Sequence, residues 1–192
     1  HLLRYYASVA PALLPHLRDR PMVMKRYPDG WQGKFFFMKR TPGHAPEWVR
    51  TCTVDHGNGN VIDFPVVDDL ATLLWLINLG CIDLNPWPVR ESDLVRPDYV
   101  HLDLDPAPGA TWEHLCRAAR RVYEALQALG APACVKTSGS RGLHVYVPIA
   151  RGPTQKEVWR WAQHTARSLA RAHPDVFTAE YTKSRRPEGT VL

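Results

Sequence analysis

Over residues 2–18 the apolar positions Leu3, Tyr6, Val9, Ala10, Leu13, Leu14 and Leu17 recur at helical spacing, which predicts a helix with one buried face. Pro11 and Pro15 fall inside it. Each lacks a backbone donor and crowds the preceding turn, so a kink or break is expected there. Residues 22–27 and 35–39 read as strands around Asp29-Gly30, a hairpin signal, and 49–54 with 60–66 repeat the arrangement around Gly57-Asn58-Gly59-Asn60. A helix is predicted over about 69–78, with Leu70, Leu73, Leu74 and Ile77 on one face and Gly80 as its stop. Residues 81–84 and 98–105 then read as strands. Thr111 caps a helix carrying Trp112, Leu115, Cys116, Ala119, Val122, Tyr123 and Leu126, ending at Gly130. Strands at 133–137 and 143–149 flank the tight turn Ser138-Gly139-Ser140-Arg141-Gly142. Thr154 and Glu157 form a capping box for a last helix through about Ala172. Strand pairs first and strand–helix alternation later predict a mixed α/β (α+β) fold with two sheet elements.

Composition narrows the class. A length of 192 residues suits one domain, and 45% apolar against 22% charged supports a packed core and excludes a disordered chain. No apolar run approaches the ~18 residues of a membrane span. Seventeen prolines exclude a long-helix or coiled-coil architecture. The start, His1-Leu2-Leu3-Arg4-Tyr5-Tyr6, lacks the features of a signal peptide. It also lacks an initiator Met, so the chain is expected to be a fragment of something longer. Cys52, Cys81, Cys116 and Cys134 form no C-x-x-C pair and read as reduced core thiols of a cytoplasmic protein. A formal charge of +5 permits a nucleic-acid partner without showing one.

The sharpest candidate chemistry is Val100-His101-Leu102-Asp103-Leu104-Asp105-Pro106. On a strand, Val100, Leu102 and Leu104 point to a core while His101, Asp103 and Asp105 line the other face. Carboxylates at i and i+2 can hold one divalent ion or bridge two, and their hard oxygens suit Mg²⁺ or Mn²⁺. Pro106 ends the ladder and leaves them at an open strand end. The bland alternative is an exposed acidic strand end with no ligand. A haloacid-dehalogenase-type phosphatase also uses D-x-D, but it wants Thr or Val where this chain has Ala107.

The turn at Ser138-Gly139-Ser140-Arg141-Gly142 offers backbone N–H groups as an anion nest, and Arg141 adds a forked donor for phosphate oxygens. Leu143, Val145 and Val147 alternate toward the core, which puts His144 and Tyr146 on the opposite face. Alone, this is equally a solvated hairpin loop beside a structural histidine. Together, metal carboxylates and a phosphate nest are what phosphoryl transfer from a metal-bound triphosphate needs. A third cluster, Lys25-Arg26-Tyr27-Pro28-Asp29-Gly30 followed by Phe35-Phe36-Phe37-Met38-Lys39-Arg40, could stack bases while its cations hold phosphates. In a buried strand three Phe would be unremarkable, and at least one is expected in the core. Tyr27 stands where the K-x-D-G motif of DNA ligases has its Lys, so the segment is no ligase active site. Arg117, Arg120, Arg121, Arg160, Arg167 and Arg171 read as solvated helix faces.

These residues resemble a family. Tyr5-Tyr6, Val9-Ala10-Pro11, Leu14-Pro15-His16-Leu17, Arg20-Pro21 and Lys25–Gly30 are similar to the polymerase/primase domain of bacterial ligase D, of the archaeo-eukaryotic primase superfamily. So are Asp68-Asp69-Leu70-Ala71-Thr72-Leu73, Leu102-Asp103-Leu104-Asp105-Pro106 and the run from Val135 to Val145. The likeness extends along the whole chain, as a single domain over 1–192. It implies a primase-type mixed-sheet catalytic fold with flanking helices. The implied activity is a metal-dependent nucleotidyltransferase of non-homologous end joining, extending DNA ends with NTP or dNTP, preferring ribonucleotides and usually Mn²⁺, with Mg²⁺ the alternative. It also implies Ku and an attached ligase domain as partners, in the bacterial cytoplasm.

Carried over by position, Asp103 and Asp105 are the catalytic metal ligands. Ser138, Ser140, Arg141 and His144 bind the triphosphate, with Arg141 where Lys is common. Phe36 and Phe37 match an aromatic pair near nucleotide and template, and Lys25 and Lys39 match basic residues beside them. Asn85 stands where many relatives have His. The family's third metal carboxylate falls on a strand beginning near Thr190, just past Leu192, and neither Glu180 nor Glu188 matches it. Residues 189–192 are therefore expected to be an unpaired or frayed strand. The alternative on this fold is a nucleotide- or DNA-binding module, catalytically weak or inactive without that acid. A sugar-nucleotide transferase using D-x-D leaves the Phe-rich basic strand and the S-G-S-R-G turn without an account.

Overall fold

Helix α1 (Leu2–Leu17) runs unbroken through Pro11 and Pro15 in the computed structural model, which describes residues 1–180 and 182–191. The expected break does not occur. Ala10 and Leu17 are buried, and Tyr6, Leu13 and Leu14 pack on the same cluster. Burying a large apolar side chain contributes about 1.5–3 kcal/mol, so several together outweigh the backbone bonds that two prolines remove.

The chain forms two units, His1–Leu94 and Val95–Leu192. In the first, β1 (Met22–Arg26), β2 (Phe36–Met38), β3 (Thr51–Asp55), β4 (Val61–Pro65), α2 (Leu70–Asn78) and β5 (Cys81–Pro86) follow α1. Antiparallel pairing gives a β2-β1-β5 sheet and a separate β3-β4 hairpin. The hairpin turns through Gly57, Asn58 and Gly59, all at positive φ, which is why that stretch is rich in Gly and Asn. The Asp69 carboxylate caps α2 by accepting from the Thr72 N–H. Its buried face is Thr72, Leu73, Leu76 and Ile77, whereas Leu70 is exposed and Leu74 half-buried. The expected stripe was rotated, because α2 packs on both α1 and β5 and buries a wider arc.

In the second unit, β6 (Tyr99–Leu104), α3 (Trp112–Ala128), β7 (Cys134–Thr137), β8 (Leu143–Pro148) and α4 (Gln155–Ala172) precede a short 3₁₀ turn at Lys183–Arg185. The sheet order is β6-β8-β7, again antiparallel, so the chain has three sheets among its described residues rather than two. Val100, Leu104, Leu143, Val145 and Val147 meet Leu115, Val122 and Leu126 of α3 in one core. Trp112 and Tyr123, expected on that face, are exposed. Thr111 with His114 and Thr154 with Glu157 form capping boxes at the starts of α3 and α4.

Two further expectations change. Cys52 and Cys81 are buried, but Cys116 is half-buried and Cys134 exposed, so only two of the four are core thiols. The stretch 189–191 is not frayed. Val191 is fully buried and bridges Pro106 and Phe177, while Ala107 N–H donates to the Thr190 carbonyl. Segments 106–107 and 176–178 supply backbone partners that local sequence does not reveal; Leu192 lies outside the described residues. Among the described residues no helix is long and apolar enough to cross a membrane.

Candidate active site

In the second unit the register of the β6-β8-β7 sheet assembles the polar face. Asp103 lies opposite His144, and His144 opposite Lys136, in one row across the three strands; His101, Tyr146 and Cys134 form the next row. Alternation does this: Leu102 and Leu104 turn toward the core side, and Leu143 and Val145 are buried. The Asp103 side chain is 61% exposed, with Oδ1 3.5 Å from His144 Nε2. The His101 ring stacks on Tyr146 at 5.4 Å and lies 5.1 Å from His144.

Burial lowers the pKa of His144; Asp103 pulls the other way and Lys136 adds to the lowering, but desolvation dominates. The pKa of His101 is lowered by burial and then by His144, and that of Tyr146 is raised by burial and then by Asp103. His144 Nδ1 is buried without a hydrogen-bond partner among the described residues.

The S-G-S-R-G turn closes on itself. Ser138 N–H donates to the Gly142 carbonyl, and Ser138 Oγ accepts from the N–H groups of Ser140 and Gly142. Two donors offered to an anion by the sequence reading are thus held by the Ser138 hydroxyl. Gly142 must be Gly: a Cβ there would stand 2.7 Å from the Leu104 carbonyl oxygen. That close approach brings the turn beside the end of β6, where Asp105 follows. Asp105, Trp112, Ser140, Arg141 and Arg186 line a cavity of about 520 Å³, within the size range of small-ligand sites.

Arg186 is the residue sequence reasoning missed. Its side chain is 5% exposed, its Nη1 donates to Asp105 Oδ2 at 2.9 Å, and its Nε donates to the Glu180 carbonyl. The basic run Thr182-Lys183-Ser184-Arg185-Arg186 was a signal, but nothing local tied it to Asp105. Glu180 turns its carboxylate to the Thr182 N–H, and Glu188 packs against Gly109, so neither acid joins the Asp pair. Among the described residues no group of three His, Cys, Asp or Glu converges on a point. Carboxylate oxygens are the hard donors a divalent cation takes: the Asp103 side chain is largely exposed, whereas Asp105 Oδ2 is engaged by Arg186.

The first unit carries the remaining candidates. Lys25 Nζ lies 2.9 Å from Asp83 Oδ2, and hydrogen bonds to Tyr27 and Asp83 raise its pKa. Phe35, Phe36 and Phe37 are all exposed, against the expectation that at least one would be core, because β2 is a three-residue edge strand. Phe36 lies under the Arg26 guanidinium at 5.4 Å, and Phe37 is edge-on to Phe35 at 5.8 Å. Lys39 is exposed, Arg40 donates to the Val61 carbonyl, and Asn85 donates to the Asp83 carbonyl.

The model of the LigD primase-polymerase domain family matches residues 1–192. The chain belongs to that family. It is 32% identical over 184 residues to the multifunctional non-homologous end joining protein LigD of Mycolicibacterium smegmatis, covering 95% of this chain and 24% of that protein. The Pseudomonas aeruginosa protein of the same name is 33% identical over 180 residues, covering 93% and 21%. The chain thus spans about a quarter of the length of the curated relatives it matches. The polymerase domain of Mycobacterium tuberculosis ligase D, solved in complex with DNA, superposes with a TM-score of 0.86 at 30% identity, covering 99% of this chain and 68% of that one. As in that LigD domain, helices flank antiparallel sheets in an α+β fold.

Proposed function

We propose that this LigD primase-polymerase domain is a metal-dependent nucleotidyltransferase of bacterial non-homologous end joining, which extends or fills DNA ends with nucleotides. One observation carries the reading: an acidic strand end and a Gly-rich basic turn meet at one cavity, Asp105 against Ser140 and Arg141, in a family named for this activity. Asp103 and Asp105 would hold Mn²⁺ or Mg²⁺. When bound, the ion would neutralise charge on the triphosphate. Arg141 and Ser140 orient phosphate oxygens, Ser138 holds the turn in shape, and His144 presents a neutral ring beside Asp103. Lys25, Phe36, Phe37 and Lys39 supply contacts to base and backbone. DNA ends, NTP or dNTP, Ku and a ligase domain are the partners of this reading. The inactive binding module is not favoured, since the family model over the whole chain and the solved relative in complex with DNA are both LigD polymerase domains.

The test is primer extension on a gapped duplex with Mn²⁺, comparing the chain with Asp103→Asn. Several kcal/mol of transition-state stabilisation corresponds to a loss on the order of 10³-fold. Melting temperature should be unchanged, because the Asp103 side chain is exposed. Undiminished incorporation by the Asn variant would remove the proposal.

A further inference from the structure

Helices α3 and α4 both bury a face in the core behind the β6-β8-β7 sheet, and both carry outward arginines. Their outer faces differ. On α3, Glu113 and Glu124 stand among Arg117, Arg120 and Arg121, and Arg121 Nη1 lies 3.0 Å from Glu124 Oε2. Mixed signs of this kind belong to a solvated helix surface. On α4, Lys156, Arg160, His164, Arg167 and Arg171 are all exposed and recur at steps of four, four, three and four. At 3.6 residues per turn they fall within an arc of about 80°, opposite the buried Val158 and Leu169. The row runs roughly 22 Å along the helix at 1.5 Å per residue. Glu157, the one acid of α4, stands at the margin of the arc, its carboxylate turned to the Thr154 N–H and hydroxyl. Among the described residues the four cations make no side-chain hydrogen bond or ion pair. The helix dipole accounts for Arg171 in the last turn but runs against Lys156 in the first, so helix stability does not explain the row.

We propose that this face of α4 binds the phosphate backbone of duplex DNA, as a second site apart from the cavity at Asp105. This rests on the nucleic-acid reading above and adds an interaction surface to it. Charge and spacing favour that occupant. Over roughly 22 Å one DNA strand presents about six phosphates, ~3.4 Å apart along the axis, enough to engage all four cations. Each guanidinium offers a fork of donors that fits phosphate oxygens. A protein partner would bring an apolar centre. This arc has none, since Trp159, the one exposed large apolar side chain of α4, lies outside it. Val158 and Leu169 pack with Val100, Leu104 and Val145, whereas Asp103, His144 and Lys136 lie on the other side of that sheet. DNA is stiff over about 150 base pairs, so a short duplex held at the polar row cannot also lie along α4. The two sites therefore take separate stretches of duplex.

The test is a titration of the whole chain with a short fluorescent gapped duplex at low salt, read as duplexes bound per chain. Wild type should take up two. The triple variant Arg160→Gln, Arg167→Gln, Arg171→Gln should take up one, with nucleotide incorporation on the same duplex unchanged. The matching triple Lys variant should keep both, because backbone affinity is set mainly by charge. One duplex on wild type and Gln variant alike overturns the α4 site and leaves the nucleic-acid reading standing. Two duplexes on both overturns the assignment to α4. No duplex on wild type overturns the nucleic-acid reading, and the α4 site falls with it. If the Gln variant keeps its DNA binding but loses polyglutamate binding, the face belongs to an acidic protein and the proposal fails. All three arginines are exposed, so melting temperatures should match wild type and separate these outcomes from misfolding.

Discussion

The two units present opposite kinds of surface. His1–Leu94 exposes aromatic rings on a short edge strand, with cations laid over them: Lys25 above Phe35, and Arg26 above Phe36. Val95–Leu192 exposes a polar row, Asp103, His144 and Lys136, on a sheet whose reverse side is a continuous apolar core. The first can grip a flat ligand with little regard to its identity, because π faces and phosphate charge are common to all nucleotides. The second places oxygens and nitrogens at fixed cross-strand spacing, which is what an ion and a triphosphate demand. On the proposed function the contrast separates grip from chemistry: tolerant contacts sit on a short edge strand, and exacting ones in a row across all three strands of the β6-β8-β7 sheet.

Salt should break that contrast most visibly. If Lys25, Arg26, Lys39 and Arg40 each meet a phosphate, DNA affinity should fall on the order of 100-fold between about 50 and about 200 mM salt. Lys39→Ala should flatten the log–log slope by about one. The structure sharpens this choice, since Lys25 is held by Asp83 and Arg26 by the Leu79 carbonyl, whereas Lys39 is exposed. A slope near zero for wild type would mean that the basic strand does not contact backbone.

A smaller effect is expected from Arg141→Ala in the cavity. It should raise the apparent KM for nucleotide about tenfold, with DNA affinity unchanged, since removing one charge-assisted donor costs about 1.5–3 kcal/mol. Equal losses in nucleotide and DNA binding would erase the division between the two surfaces. Steady-state kinetics paired with a DNA titration separates these outcomes.

The smallest effect concerns how the second unit is pinned. Helix α1 starts without a side-chain cap, whereas α4 starts with the Thr154–Glu157 box. Hydrogen bonds from the Thr154 N–H and hydroxyl hold the Glu157 carboxyl below its ordinary value of 4.5. The ionised form is therefore favoured in the folded state. Its stabilisation is complete above about pH 4.5 and is lost as pH falls through the lowered native value. Glu157→Gln should melt slightly below wild type at neutral pH, and the gap should close in acid. A gap that persists at low pH would show that the box does not act through its charge.

Much of the site was legible because it depends on short-range geometry. The D-x-D strand end, the Ser138-to-Gly142 turn, the Thr111 cap and the Thr154–Glu157 capping box follow from alternation, a tight turn and N-terminal donor satisfaction, all decided within a few residues. The three rings at Phe35, Phe36 and Phe37 were equally legible. Their exposure was not, because it depends on β2 being a three-residue edge. Tertiary structure alone decided the rest. It joined Arg186 to Asp105 across 81 positions, and it carried α1 through two prolines on the strength of its buried face. It turned α2 to bury Leu76, and it closed Val191 between Pro106 and Phe177 where a frayed end was expected. Periodicity along a chain shows which side of an element prefers burial. Which distant element will cover it, and which buried charge will then need a partner, is decided only when the pieces pack.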